Sequence, residues 1–256
     1  FIVTGATSGI RFTSASNNLL SGVLAHNNAG IGISTSGASD GTVIYNATVF
    51  DNGTNGMDLV SSAVVLDSTV YGNTSTGIDN ESGGGLLSGV TSFGNTSSYG
   101  VRFHNNTSPP TMRNSFVFSN ASHQVYVNSA DAILTNNVIV EGGAGTDGIN
   151  VTTAGNASSI KNNIIKDMAG DGIDYSSAGS GNDFNYFDAI TGSDVKVGTI
   201  GSNSHADDGT NPNFYAEKDL TADAGGTTQI LVDTSETWTE NEWVGAGLYI
   251  TDKAGG

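Results

Sequence analysis

Eight copies of one two-residue mark divide this chain: Gly9-Ile10, Gly32-Ile33, Gly56-Met57, Gly77-Ile78, Gly100-Val101, Gln124-Val125, Gly148-Ile149 and Gly172-Ile173. The steps between them are 23, 24, 21, 23, 24, 24 and 24 residues. A fixed period in the twenties means stacked units, none of which can bury its own apolar residues without a neighbour. Between marks the apolar runs, such as Val64-Val65-Leu66, are short and bounded by Gly, Asn, Ser and Thr. Such runs are too short for helices and suit strands. Capping signals and 3.6-residue periodicity are absent, so almost no helix is expected. If each strand pairs with its equivalent one coil away at about 4.8 Å, eight coils make a rod roughly 40 Å long. The expectation is an all-β parallel solenoid.

Composition agrees with this and narrows the partners. The chain has 36 Gly without a three-residue period, which excludes collagen, and its regular aliphatic columns argue against disorder. With no Cys, disulfides and thiolate-bound metal are excluded. The 25 acidic against 8 basic residues give a net charge of −17, which argues against nucleic acid or an anionic membrane as partner. No stretch approaches the roughly 18 apolar residues of a membrane span, so neither a membrane span nor a signal peptide is expected in the sequence as read.

The ends read differently from the middle. Phe1-Ile2-Val3 stands before Gly9-Ile10 much as Thr48-Val49-Phe50 stands before Gly56-Met57, so the first residues read as the tail of an earlier coil. A solenoid edge without a cap is expected to be covered by further sequence or by another subunit. Past residue 173 the period loosens through Asn182-Asp183-Phe184-Asn185-Tyr186-Phe187 and Asp194-Val195-Lys196-Val197 to Asn211-Pro212-Asn213-Phe214-Tyr215.

The Gly-Ile mark, the Asn-Asn-Ile-Ile text at 162–165 and the Asn-Pro-Asn-Phe segment resemble right-handed parallel β-helix domains of the pectate-lyase-like superfamily. The resemblance covers about residues 1–220. It implies a right-handed parallel β-helix of about eight to ten coils of 21–24 residues over 1–217, with a small C-terminal β segment. The text of 218–256, with Ile230-Leu231-Val232, Trp238, Trp243 and Leu248-Tyr249-Ile250, is similar to a small β motif of phage tail and bacterial surface proteins. It reads either as the start of a C-terminal module or as a strand pair capping the solenoid. The superfamily hosts lyases, hydrolases, epimerases, tailspikes and adhesins, so the resemblance implies a fold and not a reaction.

Alternation along a strand turns the mark into a map of faces. The aliphatic residue of each mark points in. The next residue points out, giving Arg11, Ser34, Asp58, Asp79, Arg102, Tyr126, Asn150 and Asp174, and two residues on comes Thr13, Ser36, Val60, Glu81, His104, Asn128, Thr152 and Ser176. Adjacent coils then gather Asp58, Asp79, Glu81, Arg102 and His104 into one outer patch. In the resembling lyases a comparable face carries acidic Ca²⁺ ligands and a basic residue that removes a sugar proton. On that reading two carboxylates one coil apart would hold Ca²⁺, and Arg102 or His104 would serve as base. The plainer reading is a solvated ladder of alternating charge. The hydrolase pattern of paired aspartates with Gly-His-Gly and Arg-x-Lys is absent, and so is the lyase pattern of two arginines flanking a proline. His26, His123 and His205 are scattered, with no metal-ligand spacing. Asp207-Asp208 is a weak cation candidate without EF-hand spacing.

Two further columns appear before the marks. Leu24, Val49, Val70, Ser92, Val117, Ile139 and Ile165 align, followed by Ala25, Phe50, Tyr71, Phe93, Phe118, Val140 and Lys166. Lys166 argues that the second column faces out, as a contact stripe of Phe50, Tyr71, Phe93 and Phe118 for sugar rings, a like subunit or a covering loop. A register one residue off would put these rings inside instead. Asn27, Asn52, Asn73, Asn95 and Asn120 form a corner ladder, since asparagine tolerates left-handed turns and passes hydrogen bonds to the next coil. Four of them lie in Asn-x-Ser/Thr sequons, where an amide spent in a ladder is a poor acceptor. Asn80, Asn105, Asn106, Asn150 and Asn156 are the better glycosylation candidates.

The functional expectation is a non-enzymatic extracellular, cell-surface or virion-associated protein. It would be a rigid β-helical shaft, part of a longer chain or filament, presenting a contact surface to glycans or to copies of itself. It needs no cofactor, with Ca²⁺ the one candidate. The alternative is a carbohydrate-active lyase or hydrolase acting on an acidic polysaccharide through the Asp58–Arg102 patch.

Overall fold

The computed structural model describes residues 1–206 apart from 38, 61, 130, 143–145, 153–157, 180, 199, 203 and 205. Asp207, Asp208, Asn156, His205 and the segment 218–256 therefore lie outside the described residues. The chain divides into two units, Phe1–Asn211 and Pro212–Gly256. The first is built from strands alone among its described residues, 26 of them from β1 (Ile2–Thr4), β2 (Ile10–Thr13) and β3 (Leu19–Ser21) to β26 (Val195–Gly198). Every third strand stacks on its predecessor. The result is a nine-stranded sheet A beginning at β1, a nine-stranded sheet B beginning at β2 and an eight-stranded sheet C ending at β3. The pairs are parallel, and the mark residues pair in register, Ile33 with Ile10 and Met57, Val101 with Ile78 and Val125. This is the parallel β-helix expected from the period.

The lumen is filled by the alternate residues of all three sheets. Val49, Val70 and Val117 from sheet A, Ile33, Ile78 and Ile149 from sheet B, and Ile44, Val65 and Leu134 from sheet C are fully buried. Each such aliphatic side chain contributes roughly 1.5–3 kcal/mol. In the first coil the register differs from the sequence reading by one residue. Ala25, not Leu24, pairs with Val49, and His26, not Ala25, pairs with Phe50. The Asn27-Asn28 doublet is the cause: Asn27 takes the left-handed corner (φ 51), as Asp51 does a coil later (φ 52), and Asn28 enters the ladder.

That ladder runs along the corner between sheets A and B. Asn28 Nδ2 donates to Asn52 Oδ1 (2.9 Å), Asn52 to Asn73 (2.9 Å), Asn73 to Asn95 (3.1 Å) and Asn95 to Asn120 (2.8 Å). A second ladder at the corner between sheets C and A, which the sequence reading did not identify, links Asn137 to Asn163 and Asn163 to Asn185 at 2.9 and 3.0 Å. Both use an x-Asn or Asn-Asn corner whose first residue is left-handed, as at Asn136 (φ 58) and Asn162 (φ 56). The buried amides so satisfied are worth more intact than their net bond energy suggests, because losing one partner leaves the other dry and unpaired.

The ladder also explains the glycine of the mark. A Cβ on Gly32, Gly56 or Gly100 would lie 2.5–2.7 Å from the ladder asparagine's Nδ2 of the following coil. Past Asn120 the ladder asparagine ceases, and there the mark carries a side chain. Gln124 Oε1 accepts from Asn120 Nδ2 at 2.8 Å and from Asn120 N at 3.2 Å, the same two bonds that each earlier rung makes with the next. Gln124 is thus the ladder's last rung, grown from the mark itself. Gln124→Gly is expected to leave the Asn120 amide unpaired and to lower stability by about 2 kcal/mol; a urea midpoint equal to that of the parent would refute it.

Candidate functional site

Sheet B's outer face brings the sequence-predicted patch together. Asp79 is the centre of it: although it points outward it is only 3% exposed, because side chains from the next coil lie over it. Arg102 holds it in a two-pronged grip, Nε to Oδ1 at 2.9 Å and Nη2 to Oδ2. His104 Nδ1 lies 3.0 Å from the same Oδ1, with Nε2 3.4 Å from Glu81 Oε1, and Asn55 Nδ2 donates to Asp79 Oδ2 at 3.4 Å. The plain expectation of a solvated charge ladder fails at this carboxylate. Parallel in-register stacking lays long side chains along the axis, and that desolvates the shorter acid beneath.

Asp58, one coil before, pairs with Asp79 across the sheet, and no cation among the described residues forms an ion pair with it. Burial first, then the charges of Asp79 and Glu81, push its carboxyl up to about 6, against a smaller pull from Arg102 and His104. In the unfolded chain the same group ionises near 3.8. The folded state therefore binds more protons between these values, and stability falls as pH rises from about 4 to about 6. Two pKa units correspond to at most about 3 kcal/mol, and solvent screening of a half-buried carboxylate reduces this to about 1–2 kcal/mol. Asp58→Asn is expected to gain that amount at pH 7 and little at pH 4, as read from urea midpoints at the two pH values. A gain of the same size at both would show that Asp58 is not the group responsible.

The patch continues along the axis into residues that the sequence reading placed only in part. Tyr99 and Tyr126 stack at 4.5 Å, with Arg102 6.0 Å from the Tyr99 ring centre. Burial, then the neighbouring Tyr126, raises the Tyr99 hydroxyl above its ordinary range. His123, dismissed as scattered, sits 3.1 Å from Asp147 and shares this aromatic group. Burial opposes ionisation of Asp147, but hydrogen bonds from His123, the backbone N–H of Asp171 and Asn150 outweigh it and hold the carboxyl below its usual range. Asp147, Asp171 and Asp174 place carboxylate oxygens within 4.8 Å of one another. Lys196 Nζ already meets two of them, at 3.3 Å to Asp171 and 3.0 Å to Asp174, and does there what a bound cation would do. The signal that would have found this lane was the residue three before the outward one in five of the coils: Asn55, Tyr99, His123, Asp147 and Asp171.

The aromatic column faces outward on sheet A. His26, Phe50, Tyr71, Phe93 and Phe118 stack at 4.8–4.9 Å with interplanar angles of 1–6°. His26 is the member that the register slip concealed. In-register coils one strand spacing apart force the rings face to face, so each face is covered by the next ring and only edges meet solvent. Sugar stacking needs a ring face, and inside the column none is free. Phe118 is also covered by Phe116 at 4.4 Å.

The glycosylation candidates separate by burial. Asn80 points into the lumen opposite Leu59 and Phe103 and is 0% exposed, and Asn106 is buried and donates to Asn80 Oδ1 at 2.9 Å. Neither can carry a glycan in this fold, for strand alternation turns residue 80 inward and Asn106 reaches in after it. Asn105 is exposed with its amide 3.3 Å from Glu81 Oε1, and Asn150 is tied to Asp147 (3.0 Å) and Asp174 (3.5 Å). A recess of about 480 Å³ lies away from the charged patch, against Gly5, Asn27, Asp51 and Gly72 at the asparagine corner.

Residues 2–116 match a family model described as a right handed beta helix region. The fold is a right-handed parallel β-helix. The A-module of the mannuronan C-5 epimerase AlgE4 from Azotobacter vinelandii is a solved structure similar to this β-helix, at 16% sequence identity and a TM-score of 0.49. The match covers 73% of this chain and 63% of that one. None of the curated proteins matches the chain. Among the described residues of the β-helix, no helix is long and apolar enough to cross a membrane.

Proposed function

We propose that this β-helix is a rigid shaft that binds a glycan along the outer face of sheet B, as part of an extracellular, cell-surface or virion-associated protein. One observation carries the reading. A lane of polar and planar side chains, Asp58, Asp79, Arg102, Tyr126 and Asn150, runs over five successive coils beside a second of Tyr99, His123 and Asp147 over three, with Asn55 two coils before Tyr99, and both are pinned by hydrogen bonds and ion pairs. A hydroxyl-rich polymer asks for hydrogen-bonding groups at regular intervals on a surface that loses little freedom on binding, and stacked coils supply a repeat of about 4.8 Å. The aromatic column of sheet A is the weaker candidate, since its ring faces are spent on one another.

A second reading, a carbohydrate-active enzyme on the same face, is favoured by Asp58. A carboxylic acid pushed up to about 6 beside an arginine and a histidine is suited to proton transfer near neutral pH. Affinity electrophoresis of the whole chain in gels cast with neutral and uronic-acid polysaccharides tests both. Retardation by one polymer, lost in Tyr126→Ala, with the polymer recovered unchanged, supports the shaft. New reducing ends, unsaturated ends or altered sugar stereochemistry in that polymer support the enzyme. Free migration in every gel would end both.

A further inference from the structure

The same three-residue text that marks an N-glycosylation acceptor recurs in this chain at Asn46, Asn52, Asn73, Asn80, Asn95, Asn105, Asn106, Asn120, Asn150 and Asn156. Transfer of a glycan forms a bond from the asparagine Nδ2 to the anomeric carbon of a lipid-linked oligosaccharide. The bond from that carbon to the lipid pyrophosphate breaks, and one amide proton leaves. Two things are then required of the folded product: room at Nδ2, and one amide hydrogen that the fold can spare.

Six of the ten fail on room, and the four ladder rungs among them fail on the amide as well; Asn80 Nδ2, buried without a partner, fails on room alone. Asn52, Asn73, Asn95 and Asn120 are at most 1% exposed, Asn80 is 0% exposed and Asn106 5%. Asn52 Nδ2 spends its hydrogens on Asn73 Oδ1 (2.9 Å) and Ala25 O (3.2 Å), Asn95 on Asn120 Oδ1 (2.8 Å) and Ser92 Oγ (3.3 Å), and Asn120 on Gln124 Oε1 (2.8 Å) and Phe118 O (3.0 Å). Coils above and below close the remaining space. Asn46 is the opposite case. It is exposed at the corner between sheets C and A, with left-handed backbone (φ 52), and its side-chain amide donates to none of the described residues.

We infer that folding and N-glycosylation exclude each other at Asn52, Asn73, Asn80, Asn95, Asn106 and Asn120, and that Asn46 is the acceptor with neither amide hydrogen spent among the described residues, whereas exposed Asn105 gives one to Glu81 Oε1 at 3.3 Å. A transferase working on the emerging chain reads the text and not the burial that comes later. A glycan placed on one ladder rung holds two coils apart and stops the stacking on which every other coil depends. A source that builds this protein in quantity therefore keeps the ladder asparagines unmodified, and a shaft that reaches the cell exterior does so by a route that bypasses such a transferase.

Secretion of the full chain from a eukaryotic host tests this, with glycopeptide mapping of the folded, protease-resistant fraction and of the retained fraction. The folded fraction is expected to carry glycan at Asn46 and none at the six buried positions, which appear occupied only in retained material. A companion variant carries T54A, S75A, S97A and S122A, with S82G and S108A, and so erases the six sequons without touching an acceptor amide. It is expected to raise the folded yield roughly tenfold, because secreted yield follows the fraction of chains that fold. Folded protein with a glycan at Asn73 or Asn95, a bare Asn46 in folded protein, or an unchanged yield from the companion variant would each overturn the inference.

Discussion

Gly77→Ala is expected to cost about 3 kcal/mol or more, among the largest losses available from adding a single methyl group to this chain. The reason is not backbone conformation, since Gly77 is not among the glycines of positive φ. A Cβ there would stand 2.5 Å from Gly100 O and 2.6 Å from Asn95 Nδ2, as well as against Ser92 Oγ. Two of these three are backbone or ladder atoms of the next coil, and neither can move without lengthening the hydrogen bonds Ile78 N to Gly100 O (3.0 Å) and Asn95 Nδ2 to Asn120 Oδ1 (2.8 Å). Equilibrium urea unfolding of the two proteins measures the loss. The control is Gly22→Ala, where a Cβ meets nothing within 4 Å and the cost is that of a left-handed residue alone, about 1 kcal/mol. Equal losses at the two positions would mean that close approach is not what the mark glycine serves.

Arg102→Ala is expected to cost about 2–4 kcal/mol, because it strands a carboxylate that is 3% exposed and was held by two guanidinium bonds. His104 at 3.0 Å and Asn55 at 3.4 Å remain as partners and set the lower bound. The double variant Asp79→Leu/Arg102→Met, which removes both charges, is expected to recover most of the loss. An exposed pair would instead give single and double variants within about 1 kcal/mol of the parent, and that result would return Asp79 to the solvated surface. The polysaccharide assay on Asp79→Leu/Arg102→Met then separates a structural role for the pair from a contact role. A well-folded double variant that no longer binds marks the pair as part of the glycan face.

The period, the parallel pairing and the inward column from Ile10 to Ile173 were all legible in the sequence, because stacking demands the same residue class at the same place in every coil and so writes itself as repetition. The gathering of Asp58, Asp79, Glu81, Arg102 and His104 was legible for the same reason: in-register coils bring column neighbours together whatever their identity. Where the text was locally degenerate the reading slipped by one. In Asn27-Asn28 either asparagine could take the corner, and only the hydrogen bond to Asn52 assigns the rung to Asn28. That slip also hid His26 from the ring stack.

What the sequence by itself determined is thus the one-dimensional order of the β-helix: how many residues make a coil, which column faces the lumen and which faces water. What only the tertiary structure decided is what happens between side chains of successive coils. Outward Asp79 is buried, the rings inside the sheet A column have no free faces, Asn80 is lost to the lumen, and Gln124 replaces a glycine because the next rung is missing. The physical reason is common to all four. Burial and partnering here depend on the reach and shape of the residue one coil away, and a column read in projection records which side chains are neighbours but not which of them lies on top.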